Sequence, residues 1–581
     1  MNYIIANDMD ERDKLILRAF ALKIRDHLKD ETFETLPLVF QNYTLPSWKE
    51  TRSRIAFLSG LHPTVYDCCP NSCCCFIGPH TLLDKCPYCN AARYSVGRRA
   101  RKSFVYVPLA PRLVALYRNV DLVTKMKYRS QSAQSTQGIS DIFDGSVYLN
   151  LTRKHVVVDG RVLPYTYFSD SRDIALGLAT DGFAPFRRRK ATTWPLLIYN
   201  YNLPPEIRFR KEYILCLGVV PGPKKPKDMD SFLYPLVEEL LQLAVGIRAF
   251  DVLQSSVFAL HAYLIVVSGD IPALSMLLNI KGHNAFSPCR ACKITGVQSP
   301  AQRVTTYYVP LSRQPPSTQR LDAATAQYVA VNLPLRTHSE MLEQAREVQL
   351  APTQKESDRL AKKYGIKAVP ILSFVPSLVF PSSFPYDFMH LIWENLIPNL
   401  ISLWTGNFKG LDQGHESYHL PKAVWEAIGE LTAGCGATVP SAFCSRPPNI
   451  AHDVSSCTAD SWSFWALYLG PVLLRKRFSK SKYYDHFIEL VKLLHICLQF
   501  ELSRDDIRTL RAGFARWVEK YEEYVIIWIL LCSTSYFIIA VYIISITLAA
   551  SAHVLSRFMR CSTLPTTWRP RGLSGHPGRS L

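Results

Sequence analysis

The sequence predicts an α/β fold, a mixed sheet flanked by helices, and three observations predict it. Three apolar segments of strand length stand in a row at 174–181, 194–204 and 212–223. A segment with apolar residues at helical spacing follows at 230–245, and a further apolar run with a β-branched end closes the series at 256–270. Strands that alternate with a helix and then another strand are the signature of a sheet covered by helices.

The chain has 581 residues, enough for several domains. Hydrophobic residues make up 48% and charged residues 20%, which predicts a packed core and excludes wholesale disorder. The net charge of +19 favours an acidic partner, either nucleic acid or an anionic membrane. The opening "MNYIIANDMDERDKLILRAF" carries early acids and no unbroken apolar core, which argues against a secretory signal. Clustered cysteines in a reducing compartment read as metal ligands before disulfides.

In order along the chain, residues 1–60 read as a helical region and 61–105 as a zinc-binding module. The stretch "FVYVPLAPRLVALY" (104–117) is a strand leading into a helix, and 129–140 is a polar loop. Residues 106–420 are assigned to the sheet domain, with a polar insertion around 283–370. Within it, "IALGLATD" is a strand that ends on Asp181. Pro195 must start the next strand or lie at an edge, and Pro-Gly-Pro stops the third at 221–223. In 230–245, Phe232, Leu233, Leu236, Val237, Leu240, Leu241 and Ala244 share one face, with Glu238 and Glu239 turned outward. The front half of 256–270 is compatible with helix; its end reads as strand and runs into Gly269-Asp270. "SFPYDFMHLIWENLIPNLISLW" (383–404) is a helix that Asp387 is placed to cap. Residues 421–523 read as further helices.

Phosphodiester chemistry asks for carboxylates from separate elements, because two divalent ions about 4 Å apart stabilise both the attacking and the leaving oxygen. Asp181, Asp270 and Glu394 meet that demand. The structural alternatives are a turn or cap role for each Asp, and a hydrogen-bonded His390–Glu394 pair on a face shared with Asp387. Cys69-x3-Cys73-x12-Cys86-x2-Cys89 has the spacing of a tetrahedral zinc site, although Cys68, Cys74 and Cys75 allow a slip of register. Cys289 and Cys292 suggest a second zinc site, with His283 and His338 as candidate further ligands; the alternative is two reduced thiols in a turn. Arg187, Arg188, Arg189 and Lys190 form a basic run fitted to DNA phosphates, as do "KKPK" (224–227) and "RKRFSKSK" (475–482). Each run alone is more often a solvated face.

The strings "YDCCPNSCCCFIGPHTLLDKCPYC", "LATDGFAPF", "NYNLPPEIRF", "LGVVPGPKKPKDMDSFLYPLVEELLQLA", "GDIPA", "KGHNAFSPCRAC" and "SFPYDFMHLIWEN" occur in this order. In them the sequence resembles the transposases of CACTA-type (En/Spm) DNA elements, the fungal branch in particular, over roughly 60–523. The resemblance implies an RNase H-like fold with a DDE triad of Asp181, Asp270 and Glu394. It also implies Mg2+ or Mn2+ as cofactor beside Zn2+, and favours Cys69 and Cys73 as ligands. The implied activity is cut-and-paste transposition in the nucleus, on terminal-repeat and target DNA, by a self-associating enzyme.

Residues 524–552 carry no charge and exceed the roughly 20 residues that span a bilayer. The tail 524–581 therefore reads as a transmembrane helix or, since the resemblance stops near Glu523, as a translation artefact. The alternatives to an active transposase are an inactive or domesticated DNA-binding derivative and a membrane-anchored protein.

Overall fold

The computed structural model describes residues 10–39, 45–132, 138–185, 191–298, 307–309, 311, 328–408, 416–440 and 444–526. Six strands form one mixed sheet: β1 (Thr64–Asp67), β2 (Ser103–Tyr106), β3 (Ile174–Ala179), β4 (Trp194–Asn200), β5 (Leu215–Val220) and β6 (Ala262–Ser268). They lie side by side as β1-β2-β5-β4-β3-β6. Every neighbouring pair is antiparallel except β3 and β6, which are parallel.

Strand β3, IALGLA, lies inside the sheet and is buried along nearly its whole length. Ile174, Leu176 and Leu178 join one core with Leu196, Ile198, Leu264 and, from helix α1 (Asp230–Val245), Phe232, Leu236 and Leu240. Ala175 faces the other core, with Tyr199, Tyr201 and Tyr263. Gly177 is required on that face, because a Cβ there would stand 2.5 Å from the Tyr201 ring.

A parallel pair needs a long crossover. Here the crossover from β5 runs through α1 and a hairpin of Ile247–Asp251 with Ser256–Leu260 before β6. The front half of 256–270 is thus strand, not helix. Phe258 and Leu260 are buried while Val257 and Ala259 face outward, so the period is two even though the run looks uniformly apolar. The expected outward Glu239 also turns in, and its carboxylate accepts from the Leu109 and Ala110 amides and the Tyr106 hydroxyl. A bulge between Leu264 and Val266 resets the β6 register, so that Ser268 ends opposite Ala179.

The second large core is helical. It gathers Trp393, Trp465 and Trp517, helix α3 (Ser481–Cys497) and helix α4 (Arg504–Ile526), together with Cys289 and Cys292. Residues Met389–Leu396 wind as a π-helix, with the Ile397 amide bonded back to the Ile392 carbonyl, before helix α2 (Ile397–Trp404) begins. Pro398 gives the reason. It has no N–H for the carbonyl four residues earlier, on Glu394, and its ring crowds that carbonyl, so the turn widens. Trp465–Leu469 repeats the device ahead of Pro471.

Among the described residues no helix is long and apolar enough to cross a membrane. From 527 onward the tail, including nearly all of the uncharged 524–552 stretch, lies outside the described residues.

Candidate active site and metal centre

Parallel pairing of β3 with β6 fixes the first two acids. Ala179 lies opposite Ser268, and two residues beyond each stand Asp181 and Asp270. Two glycines let these ends close up. A Cβ on Gly269 would sit 2.9 Å from the Thr180 carbonyl, and one on Gly182 would sit 2.6 Å from the Trp194 ring. Asp181 accepts a 2.6 Å hydrogen bond from the Gly182 amide. Asp270 caps the short helix Ile271–Leu277, with Oδ1 accepting from the Ala273 amide at 2.6 Å. The cap role and the place beside Asp181 therefore coexist in one residue.

The π-helix brings the third group. Asp387 accepts from the Met389 and His390 amides and pairs with His390 Nδ1 at 2.8 Å. His390 Nε2 lies 3.7 Å from Glu394 Oε2, an ion-pair distance rather than a hydrogen bond. Leu391, Ile392, Trp393 and Leu396 are buried, whereas Glu394 faces solvent with 41% of its side chain accessible. The burial cost suggested by its apolar neighbours in sequence does not arise.

Electrostatics ties these residues together. Burial raises the Asp181 carboxyl above the ordinary range, and the charge of Asp270 raises it further, while His390 opposes both. Burial alone would lower the His390 imidazole. The hydrogen bond and charge of Asp387, then the charges of Glu394 and Asp181, outweigh it and push the group up to about 9. At neutral pH His390 is therefore a cation set among carboxylates. Oxygen donors of this kind suit a hard divalent cation. They stand more widely than thiols do: among the described residues only one group of three or more such ligands has its ligand atoms within 4.8 Å of one another, and it is made of cysteines.

That group is Cys69, Cys73, Cys86 and Cys89. Two tight turns build it, each holding one residue at positive φ, Ser72 at 61° and Asn90 at 56°. Cys69 Sγ lies 3.4 Å from Cys89 Sγ. Tetrahedral zinc with bonds of about 2.3 Å sets sulfur atoms about 3.8 Å apart, so the four thiols fit zinc. The Asn71 side-chain amide holds the Cys89 thiol down to about 6. The register is settled against a slip. Cys68 and Cys75 are free thiols whose backbones pair in an antiparallel β-bridge and whose side chains pack into the sheet core, and Cys74 lies outside the four although its Sγ is 3.8 Å from Cys86. The cluster docks on the segment after β5, where the Lys227 and Asp228 amides donate to the Cys73 carbonyl and Asp228 accepts from His80 and Tyr88.

Cys289 and Cys292 are buried. Cys289 Sγ lies 3.3 Å from the Tyr386 hydroxyl and accepts from the Ala291 and Cys292 amides. Arg336 donates to the carbonyls of both cysteines, and Arg290 stacks on Tyr386 at 3.6 Å and donates to the Phe384 and Pro385 carbonyls. No third Cys, His, Asp or Glu among the described residues completes this pair within 4.8 Å. His338 is engaged elsewhere, its Nδ1 accepting from the Phe380 amide. The described contacts thus couple the loop to the chain that leads into Asp387. Arg187, Arg188, Arg189 and Lys190 lie outside the described residues.

Residues 160–352 match the family model described as transposase family tnp2. No curated protein matches the chain. The tnp2 match supports a transposase function with DNA as partner. It spans β3 to β6, Asp181, Asp270, Cys289 and Cys292, while the Cys69–Cys89 cluster and Glu394 lie outside it.

Sequence reasoning did not connect three lysines around the helix that Asp270 caps: Lys225, beside Pro272, and Lys281 and Lys367, beyond its other end. The first two stand in stretches already singled out, "KKPK" and "KGHNAFSPCRAC"; Lys367 carries no local signal.

Proposed function

We propose that the chain is a DDE-type DNA transposase of the CACTA kind with an RNase H-like catalytic core. It would hydrolyse the phosphodiester at the ends of a mobile element and join the freed 3′-hydroxyl to target DNA. The observation that supports this reading is the parallel β3–β6 pair, whose last paired residues, Ala179 and Ser268, each stand two residues before an acid, Asp181 and Asp270. Glu394 joins them through its pairing with His390, whose charge also reaches Asp181.

Asp181, Asp270 and Glu394 would hold Mg2+ or Mn2+. Bound divalent ions supply charge stabilisation to the attacking and leaving oxygens. The residues of the chain orient that chemistry. Asp270 is fixed by its cap bond, Asp181 by the Gly182 amide, and His390 restrains Glu394 while Asp387 restrains His390. The cysteine cluster would hold a structural zinc ion that folds a segment too short to bury its own core. Self-association follows from the need to bring two element ends together, and nuclear location from the substrate.

Cleavage of a labelled duplex carrying the terminal repeat tests the reading. Activity that needs Mg2+ and vanishes in Asp181→Asn supports it. Equal cleavage by Asp181→Asn overturns it.

A further inference from the structure

Lys281 and Lys367 are brought together by pairing of distant segments. Ile280 and Ile366 form an antiparallel bridge, the Lys281 amide donates to the Gly365 carbonyl at 2.8 Å, and the Lys367 amide donates to the Asn279 carbonyl at 2.7 Å. Neighbours of a bridged pair point to the opposite face. Ile280 and Ile366 are buried, so both lysines point outward, and both are exposed.

Lys225 is exposed too, and its ammonium lies 3.3 Å from the Pro272 carbonyl, two residues past Asp270. The Trp194 ring flanks it with its centroid 5.5 Å away. The segment that carries Lys225 is pinned by the cysteine cluster through the Cys73 carbonyl. Helix Ile271–Leu277 separates Lys225 from Lys281, a rise of roughly 10 Å.

Asp270 acts on Lys225 at a distance, but the three cations form no close ion pair among the described residues. Partial desolvation by the surrounding chain, and then the charges of Lys225 and Lys281, lower the Lys367 ammonium. Asp230 is the acid that acts on Lys367, but burial pushes its carboxyl up to about 7, so it is a weak counter-ion. Like charges gathered on an exposed face without ion pairs invite a polyanion.

We propose that Lys225, Lys281 and Lys367 form a track for the phosphates of duplex DNA, running along the helix Ile271–Leu277 and delivering the strand to Asp181 and Asp270. The track rests on the transposase reading; it takes Lys225 from the 224–227 run and joins to it Lys281 and Lys367, outside the acids and outside the 187–190 run.

The test is fluorescence anisotropy of the full chain with a duplex of about 30 base pairs, without added divalent ions, at several salt concentrations. Three lost phosphate contacts reduce the salt slope by about 2.7. The affinity of the parent then falls roughly 40-fold more steeply between 50 and 200 mM salt than that of the Lys225→Ala/Lys281→Ala/Lys367→Ala variant. The corresponding arginine variant keeps the parent slope, and Lys422→Ala, from the helical region, changes nothing. Thermal unfolding checks each variant, and glutamine replacements serve if the alanine variant is misfolded. An alanine or glutamine variant with the parent slope overturns the track. Because no divalent ion is added, this result is independent of cleavage: normal cutting by Asp181→Asn would sink the nuclease reading and leave the slope to decide the track.

Discussion

On the proposed reading, the cysteine cluster and the acid cluster would gather ligands for a cation in opposite ways. The four thiols come from one stretch, 69 to 89, and two local turns close them to within 4.8 Å. The acids come from 181, 270 and 394. A parallel strand pair places the first two, a widened helical turn the third, and they stand further apart. Chemistry explains the spacing. Neutral thiols can pack together, as buried Cys69 and Cys73 do with their protons held on by burial. Ionised carboxylates repel, and here a charged histidine stands among them. A closed thiol set suits a structural ion; an open, charged set suits chemistry.

The largest effect that can break this contrast lies in the acids. Asp181→Asn and Asp270→Asn are expected to lower cleavage by about a thousandfold or more with the melting temperature retained. If either variant simply unfolds, the acids are structural and the contrast fails. The thiols should behave the other way. The parent should carry about one zinc ion per chain. Cys73→Ser should lose it and destabilise the module around β1 and β2, while Cys74→Ser and Cys289→Ser keep it. Zinc content by mass spectrometry and thermal melting read both outcomes.

Two histidines sharpen the comparison. His486 is buried, stacked on Trp517 at 4.5 Å and bonded to its carbonyl, and burial pushes it down to about 4 from 6.5. Between those values the unfolded chain binds a proton that the folded chain refuses. Stability from this group is therefore present above about pH 6.5 and declines as pH falls toward about 4, by up to about 1.4 kcal/mol per pH unit. Denaturant titrations should show that His486→Gln flattens the slope. His390, open and charged, acts on function. The pairing that raises His390 contributes stability that is fully present below about pH 6.5 and is lost as pH rises toward about 9, so His390→Gln should remove that pH dependence as well as lower cleavage by about tenfold, equivalent to about 1.4 kcal/mol.

What the sequence made legible follows the same division. Strands β3 to β5, helix α1 and the end of β6 show in local periodicity, and the zinc ligands show in local spacing. Asp387, His390 and Glu394 show in helical spacing, though the π-turn that sets their geometry does not, because it depends on Pro398 acting on a carbonyl four residues back. The hairpin 247–260 was hidden by an apolar run whose alternation appears only when Val257 and Ala259 are seen to face outward. Lys281 beside Lys367 was invisible, since only the Ile280–Ile366 bridge joins them.

The central claim is that Asp181 and Asp270 serve one divalent-ion site. Titration of the full chain with Mn2+, followed by electron paramagnetic resonance, tests it most directly. The account predicts that Asp181→Asn and Asp270→Asn each weaken Mn2+ binding by about tenfold or more while zinc content stays constant. Mn2+ affinity unchanged in both variants would contradict it.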